Sequence, residues 1–257
     1  MESRNPVFRR MSGFNGGEAA AHQANVQQLE DLYAAPSATS LQTDRMTYDD
    51  VAVKTAALFG VLLVTAAYAW LRPTPVLLWV GLGGGLVLGL VNAFKREPSP
   101  ALILAYAGFE GLFLGTISVA FESFYNGIVF QAVLATLTTF GVMLALYKSG
   151  RIRVTPKFQR ILLIAVGGYF VFCLVNLGIY LFTGNSLRGG LLGLLIGAVG
   201  AVLASLMLVL DFDAIEQGVR DRIPARYAWT AAFGLAVTLI WLYIEFLRII
   251  AILRGDE

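Results

Sequence analysis

The sequence predicts an all-α integral membrane protein: a bundle of seven transmembrane helices behind a polar N-terminal tail. Of its 257 residues, 57% are hydrophobic and 14% charged, against roughly a quarter charged in ordinary soluble domains, so most of the chain is not built to face water. The apolar residues are also gathered into seven runs of membrane-crossing length. A net charge of +2 is too small to point to nucleic acid.

Residues 1–50 mix Gly, Ala, Gln, Ser and charged side chains. No apolar run follows Arg9 and Arg10, so this start is not a secretory signal. It reads as a largely disordered tail with room for a short helix over residues 18–33, and residues 51–257 form the membrane domain. The spans run over residues 53–71, 76–94, 101–121, 127–147, 161–182, 189–213 and 227–253, each about the twenty residues that cross some 30 Å of hydrocarbon. Arg72-Pro73-Thr74-Pro75 and Glu97-Pro98-Ser99-Pro100 separate the first three, because proline removes a backbone donor and disfavours helix before it. Only residues 122–126 interrupt the third and fourth, which therefore read as a long hairpin.

Basic residues alternate between links. Lys95 and Arg96, then Lys148, Arg151, Arg153, Lys157 and Arg160, then Arg220, Arg222 and Arg226 occupy the second-third, fourth-fifth and sixth-seventh links, whereas the other three hold only Arg72 and Arg188. Basic links stay in the cytoplasm, which places the N-terminus inside and the C-terminus outside. Gly81, Gly85 and Gly89 on the second span, Gly111 and Gly115 on the third, and Gly189, Gly193 and Gly197 on the sixth recur every fourth residue. Such smooth stripes let membrane helices approach closely.

Ionisable groups inside a span are expensive in lipid, so each is a functional candidate. Glu110 stands alone near the middle of the third span. Asp211 and Asp213 close the sixth, with Glu216 following. About 200° of helix rotation separates Asp211 from Asp213, whereas Asp213, Glu216 and Gln217 share a face. Acids set close together suit a proton-sensitive latch or a cation ligand; the plainer reading is the wet end of a helix beside Arg220 and Arg222. Glu245 lies in the seventh span with Arg248 three residues on, close enough to neutralise each other. Asn92 and Asn176 are neutral polar residues in otherwise apolar spans, and Cys173 reads as a small buried hydrophobe.

Enzymatic chemistry is not expected. The histidine His22 lies in the tail, no HExxH is present, and no Gly-x-Gly-Asp motif marks an intramembrane aspartyl protease. No cofactor is expected either.

The strings Phe109-Glu110-Gly111-Leu112-Phe113-Leu114-Gly115, Leu210-Asp211-Phe212-Asp213 and Trp241-Leu242-Tyr243-Ile244-Glu245-Phe246-Leu247-Arg248 resemble the Bax inhibitor-1 (YccA-like) family from about residue 50 to the end. Arg4-Asn5-Pro6-Val7-Phe8 is similar to the start of its actinobacterial members. The resemblance implies a seven-helix bundle in a bacterial inner (plasma) membrane, with the last helix central. It also implies a pH-sensitive calcium leak or ion-homeostasis role, or restraint of a membrane-bound AAA protease. In calcium-leak members an aspartate of the sixth span pairs with one of the seventh and the pair senses protons; Asp213 matches the first and Glu245 is the best match to the second, making them the expected calcium positions. Calcium prefers oxygen ligands, which suits such carboxylates. Two arrangements stay open: Asp213 and Glu245 pair through long helix extensions, or Asp213 works with Asp211, Glu216 or a basic residue while Glu245 and Glu110 form a separate polar layer.

Overall fold

The computed structural model describes residues 44–184 and 189–255; the short helix read over residues 18–33 lies outside them. Seven helices follow one another: α1 Tyr48–Leu71, α2 Pro75–Phe94, α3 Pro100–Phe124, α4 Ile128–Lys148, α5 Pro156–Thr183, α6 Gly190–Arg220 and α7 Ala228–Gly255. Each is long and apolar enough to cross a membrane. Large side chains such as Leu63, Trp79, Leu134, Phe170 and Leu195 point outward and are exposed. Lipid is the only solvent in which that surface is at rest.

The spans begin where their caps dictate. Thr74-Pro75, Ser99-Pro100 and Thr155-Pro156 place proline in the first turn of α2, α3 and α5, where no backbone donor is missed. The Thr74 and Thr155 hydroxyls accept from Leu77 and Phe158 backbone N–H groups, and Thr47 and Asp50 form a capping box at the start of α1. The α3–α4 hairpin turns at Gly127, whose φ of 78° favours glycine. Glu122, inside α3, reaches over that turn and accepts from the Gly127 and Val129 N–H groups, so a residue that looked like part of a break is a cap.

Helix α7 packs against α1, α3, α4 and α6 and is the central helix, as the resemblance implied. The surround is incomplete, because α2 packs chiefly on α3 and stands outside it. Helices α3 and α7 run parallel in fixed register: the Tyr106 and Phe233 rings lie 5.0 Å apart, and farther along the Ser118 and Tyr243 hydroxyls are 2.7 Å apart. At one end of the bundle, Met46 N–H donates to Ile223 O (2.8 Å), Ala225 N–H to Asp44 O (2.9 Å) and Lys54 Nζ to Ala225 O (2.6 Å). Arg226 pairs with Glu97 at that same end. Arg254 closes the opposite end on Asn126 O at 2.8 Å.

Glycine sets two of the interfaces. A Cβ on Gly81 would stand 2.6 Å from the Phe113 backbone nitrogen, and one on Gly111 or Gly115 would overlap the backbone oxygens of Leu62 or Ala66 on α1. Gly85, Gly193 and Gly197 are buried as well, whereas a Cβ on Gly89 would meet nothing closer than 3.4 Å. Gly189 departs from its expected packing role: it is the exposed N-cap of α6 with nothing within 4 Å. The close contacts fall about two to three turns deeper, at Gly197 and at Gly200, which continues the stripe at a spacing of three.

Helix α6 does not stop at Asp213. It continues to Arg220, 31 residues in all and about 46 Å long, more than hydrocarbon requires. Glu216 and Arg220 pair at 3.0 Å on the extra turns. A Gly115→Leu substitution should lower thermal stability in detergent by about 1–3 kcal/mol through overpacking, while Gly60→Leu, whose Cβ meets nothing within 4 Å, should leave the melting curve nearly unchanged.

Candidate functional site

Asp211 leaves α6 toward the central helix. The Thr238 hydroxyl donates to its Oδ2 at 2.7 Å and shares a longer 3.2 Å contact with Gly234 O. Thr238 is buried, and a Cβ on Gly234 would lie 3.4 Å from Asp211 Oδ1. Gly234 and Thr238, one turn apart, thus form a shallow seat for a single carboxylate.

Asp213 points elsewhere. Tyr147 of α4 stands between Asp213 Oδ1 (3.3 Å) and Glu216 Oε2 (2.6 Å), with its hydroxyl donating to the acids. Gln217 donates to Asp213 Oδ2 one turn on, and Arg220 to Glu216. This cluster edges a cleft of about 1100 Å³ framed by α1, α4 and α6.

Among the described residues Glu245 is the most deeply buried acid, 2% exposed. It accepts from the Tyr169 hydroxyl of α5 at 2.7 Å, from Trp241 Nε1 at 3.3 Å and from Arg248 at 3.3 Å. Space for it comes from α6, since a Cβ on Gly200 would stand 2.9 Å from its carboxyl carbon. Glu110 faces α2, where a Cβ on Gly85 would lie 2.6 Å from its Oε1; Tyr106, one turn earlier, interacts with it. Asn92 bridges the α2–α3 turn by donating to Leu88 O and Leu102 O.

These positions decide between the two arrangements. Glu245 sits beside Gly200, thirteen residues before Asp213 and so about 20 Å from it along α6. A direct Asp213–Glu245 pair does not form, nor does one calcium site shared by the two, because α6 and α7 are antiparallel neighbours and 32 residues overshoot the level at which they would meet. A Glu110–Glu245 layer does not form either: one acid faces α2, the other α5 and α6. The part of the alternative that holds is Asp213 with Glu216. Among the described residues, no group of three or more His, Cys, Asp or Glu side chains is placed to hold a metal ion. On α6 the acid that meets α7 is Asp211, and its partner is the hydroxyl of Thr238 rather than a second carboxylate.

The family profile described as Bax inhibitor 1 like matches residues 5–255. The chain belongs to the Bax inhibitor 1-like family. The match extends through the polar tail, where the likeness had rested on Arg4-Asn5-Pro6-Val7-Phe8 alone. No curated protein gives a significant match. Within a Bax inhibitor 1-like bundle, then, this chain sets Asp211 and Thr238 across the sixth-seventh interface. Sequence reasoning missed Thr238, Tyr147 and Tyr169; the Gly234-x-x-x-Thr238 spacing on α7, two small residues one turn apart, was an unread signal for the first.

Tyr169→Phe and Thr238→Val each delete one hydrogen bond to a carboxylate. Each should lower thermal stability by about 1 kcal/mol, the scale of interhelical hydrogen bonds in membranes, as read from melting of the purified protein.

Proposed function

We propose that this chain is a proton-sensitive cation leak, with calcium as the preferred ion, in which Asp211 and Thr238 form the latch between α6 and α7. The observation that carries the reading is the 2.7 Å bond between them, the point at which the central helix is tied to its neighbour by an ionisable group. An ionised carboxylate makes a charge-assisted bond about twice as strong as a neutral one. Protonation removes that excess and loosens α6 from α7. Asp213 and Glu216, nearer the end of α6, offer oxygen ligands to a hard cation at the mouth. In this reading the basic links face the cytoplasm of a bacterial inner (plasma) membrane, with the N-terminus inside, and no catalytic step is involved.

Calcium uptake into proteoliposomes should rise by about fivefold as pH falls from 8 to 5, the equivalent of about 1 kcal/mol in the latch. Asp211→Asn, neutral throughout, should give the acid-pH flux at every pH, whereas Glu245→Gln should keep the slope. Folded protein with no flux above empty liposomes would sink the leak and move the assignment to a regulator that binds a membrane-bound AAA protease.

A further inference from the structure

We infer that the cleft edged by Asp213 and Glu216 seats one phospholipid with a primary-amine headgroup, drawn from the leaflet on the side of the α4–α5 link. The inference shares Asp213 and Glu216 with the mouth of the proposed leak, but it rests on the cleft's lining and its test reads lipid retention, which does not depend on ion flux. Helices α1 and α4 both pack on α6 and α7, and the gap between them is the cleft. Phe140, Leu144, Phe212, Ile215 and Leu235 line its depth, an apolar wall that favours acyl chain over water. Its edge holds both signs of charge. Asp213 and Glu216 lie on α6, while Lys148 and Arg153 lie at the end of α4 and in the following link.

The two cations are exposed and make no ion pair among the described residues. They are available to a phosphate, for which lysine and arginine are the natural partners. An ammonium donates to carboxylates and accepts nothing, so Asp213 and Glu216 complement the other half of the headgroup. The polar edge falls where the apolar runs of α4 and α6 end, which is headgroup depth. A choline headgroup has no N–H to donate and a glycerol headgroup has no cation. The arrangement therefore discriminates among phospholipids of identical chains.

The test is native mass spectrometry of the delipidated protein after incubation with dioleoyl phosphatidylethanolamine, phosphatidylcholine or phosphatidylglycerol at equal concentration. Phosphatidylethanolamine should be retained about tenfold over the other two, as expected for a charge-assisted hydrogen bond. Combined Asp213→Asn and Glu216→Gln should reduce it to the phosphatidylcholine level. Lys148→Gln with Arg153→Gln, both exposed and so tolerated by the fold, should weaken retention of all three. Equal retention of the three by the wild type, preference for phosphatidylglycerol, or retention unaffected by either double variant would overturn the inference.

Discussion

Hydrocarbon offers no hydrogen bonds, so a carboxylate carried into it must be met by another part of the same protein. The arrangement of this bundle follows from that requirement. Asp211 is met by Thr238, Glu245 by Tyr169, Trp241 and Arg248, and, where hydrocarbon gives way to headgroups, Asp213 with Glu216 by Tyr147. All four acids bind a hydroxyl from a neighbouring helix, and the contacts tie α7 to α6, α7 to α5, and α6 to α4. The acids are therefore the cross-links of a bundle whose apolar packing has little orientational preference, since lipid is as apolar as leucine.

Glycine makes these cross-links possible. Glu245 fits because Gly200 has no side chain, Glu110 fits beside Gly85, and the Asp211 seat opens at Gly234. Smooth stripes and buried acids are two parts of one device: the stripe brings backbones together, and the acid fixes the rotation and depth at which they meet.

The fold was legible because it depends on length and punctuation. Seven apolar runs and the two proline breaks between the first three spans locate most helix ends within a few residues; α5 starts earlier than expected, at its Thr155-Pro156 cap, and α6 extends past its expected end because its final turns leave hydrocarbon and are held by Glu216 and Arg220. The facing of side chains was not legible in the same way. In a soluble helix the polar side marks solvent, but here lipid-facing and core-facing residues are equally apolar, so the sequence carries no phase from which to decide whether Asp211 or Asp213 meets α7. Gly189 was misassigned for a related reason, since a four-residue spacing does not say where the stripe enters the bundle. Hydroxyl partners such as Tyr147 and Tyr169, far away in sequence, had no local signal.

The clasp at the start of α1 bears on how the chain is made. Lys54 and Ala225 are 171 residues apart, and the backbone of residues 44–46 is bonded to that of residues 223–225. During synthesis the first helix enters the bilayer long before its amino-terminal partners exist. Its packing on α3 can form early, yet its end stays open until the last hairpin emerges. The closing of the ring is thus a late step of biogenesis, and a chain stalled before α7 would present to cellular quality control both a missing centre and a loose first turn.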